Sequence, residues 1–182
     1  MLANIMEYNI LHNSVKDYII FFVAFFIGLL LIRLFKKILL SKLFYWARKT
    51  GNGFLDFSIK TFESKLLPLA YFGIFYLSIQ GLILSSLLIK IINGIGLTLI
   101  VIYGVRFCLS FINYGIEIYL LKKETDPAKR QVLKAISSVI KILAWLLALI
   151  IILDNLGIKI SALVTGLGIG GIAVALAAQV VL

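Results

Sequence analysis

The stretch Ile160–Leu182 reads ISALVTGLGIGGIAVALAAQVVL, 23 residues without a charge, with four glycines and five alanines between Ser161 and Gln179. A helix needs roughly 20 apolar residues to cross the hydrocarbon core of a bilayer, so this one is long enough. Its side chains are too small for a helix whose whole surface meets lipid. Small residues on a membrane helix let other helices approach backbone to backbone. The segment therefore predicts a membrane-spanning helix built for close contact with neighbours.

The rest of the chain agrees with a membrane setting. Of its 182 residues 62% are hydrophobic, and the mean hydropathy is +1.10, well above soluble domains. Lys and Arg outnumber Asp and Glu by 18 to 8. In so apolar a chain that excess marks cytoplasmic loops and contact with anionic lipid rather than nucleic acid. Cys108 is the single cysteine, so no intrachain disulfide can form. The N-terminus lacks a basic n-region and a small-residue cleavage site, and no removed signal peptide is expected.

Five apolar segments predict an all-α membrane protein of about five transmembrane helices. They run from about Tyr18 to Ile32, with Leu34–Leu40 as an extension; Leu66 to Leu84, with Pro68 in its first turn; Leu87 to at least Val105; Ile136 to Leu153; and Ile160 to Leu182. The turn between the second and third falls at Ser85-Ser86 or at Asn93-Gly94. Eight basic residues lie between Arg33 and Lys65 and six between Gly115 and Lys141, against Lys16, Lys90 and Lys159 on the other side. The positive-inside rule then places both basic loops in the cytoplasm, giving an N-out, C-in chain in the cell inner (plasma) membrane. Residues 1–121 form an N-terminal peripheral or sensor region of about three helices, and residues 122–182 a helix pair ending in segment 160–182.

The loops carry signals of their own. From Leu34 to Trp46 apolar residues recur at helical spacing with Lys36, Lys37 and Lys42 between them. This stretch is either an interfacial helix anchored by Tyr45 and Trp46 at headgroup level or a continuation of the first span. Gly51-Asn52-Gly53 is a turn, and Asp126-Pro127 suits the opening of the fourth helix. Arg106 and Lys141 are the charges closest to membrane depth, where snorkelling toward the cytoplasmic interface accounts for them. No paired carboxylates, nucleophile with base, or Cys/His cluster is present, so neither catalysis nor a metal or cofactor is expected. Gly166, Gly168 and Gly171 satisfy GxGxxG formally but lack the strand and acidic residue that a dinucleotide site requires.

Stepping about 100° per residue from Ile172 resolves the last helix into faces. Thr165, Gly168, Ile172, Leu176 and Gln179 share one stripe. Gly166, Gly170, Ala173 and Ala177 form one small-residue flank; Gly171, Ala175 and Ala178 form the other. Leu163, Leu167 and Val174 make a bulky back. One small flank suits a helix dimer, whereas two suit a helix with a like neighbour on each side, a contact that closes into a ring. Ile172 and Leu176 would then stack as two apolar rings about the axis, a constriction that gates by dewetting. Thr165, Gly168 and Gln179 would line the pore. The alternative is a non-channel membrane scaffold or transporter component that uses the small residues for packing.

The segment LGIKISALVTGLGIGGIAVALAAQ, Leu156–Gln179, closely resembles the pore-lining helix of the small-conductance mechanosensitive channel (MscS-like) family, and about Lys123–Asn155 resembles the helix before it. Five spans fit members with extra helices ahead of the core three. The resemblance implies a homoheptamer that opens under membrane tension and releases ions and small solutes on hypoosmotic shock. It implies gate rings at Ile172 and Leu176 and sliding contacts at Gly168, Gly171 and Ala175. Gln179 matches the glutamine before the family's pore-helix kink, but Val180 stands where the family has a polar residue or glycine. The family continues into a cytoplasmic β-rich domain and vestibule that these residues do not include, so the expectation is a chain truncated after the pore helix.

Overall fold

The computed structural model describes residues 9–10, 12–51, 53–122 and 127–181. It is an all-α membrane protein preceded by a small hairpin. Two-residue strands β1 (Asn9–Ile10) and β2 (Asn13–Ser14) pair antiparallel. The helices are α1 (Val15–Phe35), α2 (Ser41–Thr50), α3 (Gly53–Ile79), α4 (Ser86–Lys122), α5 (Pro127–Asn155) and α6 (Ser161–Val181). A π-helical turn, Lys36–Leu40, joins α1 to α2. Among the described residues, four helical stretches are long and apolar enough to cross a membrane: Val15–Ala47, Ser86–Tyr119, Pro127–Asn155 and Ser161–Gln179. The chain divides into two compact units, Met1–Gly115 and Ile116–Leu182.

In the first unit, α1 begins at a capping box. The Asp17 amide donates to Ser14 Oγ (3.3 Å) and the Ser14 amide donates to Asp17 Oδ2 (2.9 Å), which satisfies two N–H groups at the helix start. The helix is apolar on every side, as befits a span surrounded by lipid and other helices. It continues through the π turn into α2, so the Leu34–Trp46 stretch extends the first helix. Ser41 Oγ donates back to the Lys37 and Ile38 carbonyls within that turn. Gly51, at φ +63°, ends α2, and Asn52 lies outside the described residues.

The second predicted span is placed differently. Helix α3 starts 13 residues before Leu66 and ends at Ile79 rather than Leu84. Pro68 therefore lies in the helix interior, where it lacks an N–H for the Ser64 carbonyl. The amphipathic run Asp56–Lys65 is helical because Lys60 pairs with Asp56 across one turn (2.7 Å). The apolar part, Leu66–Ile79, covers about 21 Å; α3 packs beside α1 and is not one of the four stretches long and apolar enough to cross by themselves. Ser85 caps α4, accepting from the Leu88 amide (3.4 Å), so the turn lies before Ser86 and Asn93-Gly94 is helical. Helix α4 has 37 residues, and Arg106 sits in its interior because no breaker stops it before Lys122.

Helices α1, α3 and α4 pack as an antiparallel up-down-up set. Gly28 of α1 meets Ile74 of α3, and Gly96 of α4 meets Phe72 of α3. Phe21 and Phe25 set their rings edge-on to Phe75, 6.3 and 6.2 Å between centroids. At the other end Phe57 stacks on Tyr114 at 3.9 Å and meets Phe111 edge-on at 5.4 Å. Asn13, only 3% exposed, closes the hairpin end. Its amide donates to the Ile83 carbonyl (2.9 Å) and accepts from the Ile83 N–H (2.6 Å), joining positions 70 apart in sequence.

In the second unit Pro127 takes the first helical position of α5, where its missing N–H is not needed. Lys129, Arg130 and, half-buried in the helix interior, Lys141 are all helical. Residues Asp154–Ile158 end α5 in a Schellman motif. The Ile158 amide donates to the Leu153 carbonyl (3.1 Å), the Gly157 amide to the Asp154 carbonyl (2.9 Å), and Gly157 has φ +80°. Three residues later α6 begins.

Candidate pore-lining helix

Helix α6 is regular from Ser161 to Val181. Its glycines do not break it because no competing turn chemistry flanks them and the stretch is otherwise apolar. Thr165 folds its hydroxyl back onto the Ser161 carbonyl (2.8 Å), which satisfies the donor inside a helix that offers no other polar partner. Gln179 lies two turns beyond Ile172, on the same stripe.

Every α6 residue whose side chain is described is exposed. Ile172 and Leu176 are 63% and 59% exposed, one turn apart on one face. A Cβ built on Gly166, Gly168, Gly170 or Gly171 meets nothing within 4 Å. Ala173, Ala175, Ala177 and Ala178 are likewise exposed. Contrast Gly28, where a Cβ would lie 2.4 Å from Ile74 Cγ2, and Gly96, where it would lie 2.9 Å from Phe72 Cε1. Those two glycines are explained by packing within the chain. The four in α6 have no such neighbour within 4 Å.

The predicted interface residues separate into two groups. Lys36 lies at the start of the π turn, with its ammonium 2.9 Å from Glu63 of α3. Lys37, Lys42, Tyr45 and Trp46 are exposed on the helix that continues α1, Tyr45 at 72%. Arg106 is exposed on α4, far along the chain from the others. Sequence reasoning missed the α3 side of this region: Lys60, Glu63, Ser64, Leu67 and Tyr71. Their i, i+3, i+4 spacing was visible as a helical stripe, but what faces it depends on the register of α1 against α3.

The family model described as "Mechanosensitive ion channel, transmembrane helices 2/3" matches residues 138–179, from the fourth turn of α5 through nearly all of α6. The chain is 30% identical over 178 residues to the small-conductance mechanosensitive channel MscMJ of Methanocaldococcus jannaschii, covering 96% of this chain and 51% of that one. It is 31% identical over 180 residues to the large-conductance channel MscMJLR of the same organism, covering 93% and 48%. An uncharacterized MscS family protein of Helicobacter pylori is 42% identical over 60 residues, 33% of this chain and 10% of that protein. The chain thus spans about half the length of the two archaeal relatives. No solved structure matches it significantly. With the match centred on the helix pair α5–α6 and the similarity to MscMJ running through nearly the whole sequence, the chain belongs to the MscS-like mechanosensitive channel family.

Proposed function

We propose that this chain is a subunit of an ion channel opened by membrane tension, with α6 lining the pore. The observation that carries the reading is the pair of small-residue flanks on α6, open to a partner on both sides and unexplained by the subunit's own packing. Copies of α6 fill those flanks and surround the axis as a homo-oligomer, a heptamer by family resemblance. Ile172 and Leu176 form apolar rings that exclude water, and an ion that must shed its hydration cannot pass. Thr165, Gly168 and Gln179 line the path beside them.

Tension favours the state with the larger membrane area. A population shifts only by the difference in free energy that the stimulus creates between two states, and here that difference is tension multiplied by the area gained. Helices that meet through glycine and alanine tilt and slide with little steric cost, so the rings widen and wet. Ions and small solutes then leave the cell on hypoosmotic shock. Residues 1–121 act as the lipid-facing part that receives tension, and residues 122–182 as the channel core. The charge asymmetry supports five crossings, N-out and C-in, in the plasma membrane. No step is chemical, so the protein works without catalysis or a cofactor.

Patch recordings of Leu176→Ser test the gate. A hydroxyl at each ring position wets the constriction, so basal conductance rises and the opening threshold falls. Conductance and threshold equal to those of the unsubstituted channel would remove Leu176 from the gate.

A further inference from the structure

A cleft of about 460 Å³ opens between the end of α1 and the middle of α3. Lys36, Lys60, Glu63, Ser64 and Tyr71 supply its polar groups, and Leu67 and Pro68 its apolar wall. We propose that this cleft binds the phosphate of an anionic membrane phospholipid carrying a glycerol headgroup, with the acyl chains running toward the midplane past Leu67 and Pro68.

Spare hydrogen-bond donors support that occupant. Two ammonium groups line the cleft, each balanced by one carboxylate, Glu63 or Asp56, so recognition of a phosphodiester rests on N–H donors rather than on net charge. Lys36 spends one donor on Glu63 at 2.9 Å and Lys60 one on Asp56 at 2.7 Å. An ammonium has three N–H donors, so each keeps two. Their side chains are 51% and 63% exposed, within reach of a ligand entering from outside. The Tyr71 hydroxyl adds a donor of its own, whereas the Ser64 hydroxyl donates to the Thr61 carbonyl (3.3 Å). Pro68 has no N–H, so the Ser64 carbonyl lacks its helical i+4 partner and is open to a headgroup hydroxyl.

Depth supports a lipid as the source of the phosphate. The 21 residues of α1 rise about 31 Å, against a hydrocarbon core of about 30 Å. Lys36 therefore falls where lipid phosphates lie, in the segment the charge asymmetry assigns to the cytoplasmic leaflet, whose anionic lipids attract basic residues. The π turn beginning at Lys36 is a local irregularity of the kind that recurs at functional sites. The site requires a membrane protein but not a channel, so its failure and that of the channel reading are separable.

The test uses the full chain in nanodiscs of equal parts phosphatidylcholine and phosphatidylglycerol, with retained lipid counted by native mass spectrometry. Phosphatidylglycerol is retained in preference, and the double variant Lys36→Gln/Lys60→Gln lowers its retention about tenfold, the scale of one lost charge-assisted hydrogen bond. Lys36→Arg/Lys60→Arg keeps it, and Lys90→Gln, which removes one positive charge from the start of α4, leaves it unchanged. Tyr71→Phe loses about threefold with a single hydroxyl removed, and this arm decides the matter should the double variant fail to reach wild-type helicity by circular dichroism. Equal retention of both lipids by the unsubstituted chain overturns the proposal. So does a Lys90→Gln loss as large as that of the double variant, or displacement of the lipid by an equal concentration of inorganic phosphate.

Discussion

A methyl group added at Gly28 would lie 2.4 Å from Ile74 Cγ2, whereas one added at Gly171 would meet nothing within 4 Å. The same residue type thus answers two different demands. At Gly28 the backbone of α1 presses on α3, and Gly28→Leu forces the helices apart. Overpacking of this kind costs about 1–3 kcal/mol, so detergent-solubilised protein should unfold at a lower temperature than the unsubstituted chain. At Gly171 the proposed function predicts a different outcome: Gly171→Leu should leave the subunit's thermal stability intact and raise the tension needed for opening in patch recordings. An unchanged threshold would separate Gly171 from helix sliding. The stripe holding Ile172, Leu176 and Gln179 was legible in the sequence because a helix maps sequence onto angle without reference to any neighbour. The charges on α3 were not legible as partners, because Glu63 reaches Lys36 only through the pairing of two helices.

Among the elements, the junction of α5 and α6 follows most directly from local chemistry. The fourth apolar segment reads to Leu153 in the sequence, and the structure ends α5 at Asn155 with Gly157 in the left-handed region at φ +80°. A Cβ in that region costs about 1–2 kcal/mol, with open space around it, so strain rather than collision is what Gly157→Ala introduces. Helicity of α5 should fray at its C-terminal turn, seen as faster hydrogen exchange at the Gly157 and Ile158 amides; unchanged protection there would count against the Schellman motif as the anchor. Helix α3 is the element read least well. Its start lies among Asp56, Lys60 and Glu63, residues that a search for apolar length passes over. The i,i+4 pairing of Lys60 with Asp56 and packing of Phe54 and Phe57 on Phe111 and Tyr114 carry the helix through that polar stretch.

Across the first unit, one side chain ties the hairpin to the α3–α4 turn. Asn13 pairs both polar atoms of its amide with the backbone of Ile83, so β2 and the α3–α4 turn move together. Asn13→Ala leaves an Ile83 N–H and carbonyl without these partners, a loss of about 1–3 kcal/mol. The expected result is a lower unfolding temperature with faster exchange at Ile83 and in the first turn of α1. Protection unchanged at both places would show that the aromatic contacts alone hold that end. The sequence by itself determined that this is a helical membrane protein, where α5 stops, and which face of α6 differs from the rest. Each of those depends on hydropathy, local backbone preference or helical angle, all of which act within a few residues. Tertiary structure alone decided that α3 begins in a charged stretch, that Gly28 and Gly96 are packed while the glycines of α6 are open, and that Lys36 meets Glu63 beside a cleft. Those outcomes depend on the register between helices far apart in the chain, which is set by the summed packing of Phe, Ile and Gly side chains rather than by any short run of residues.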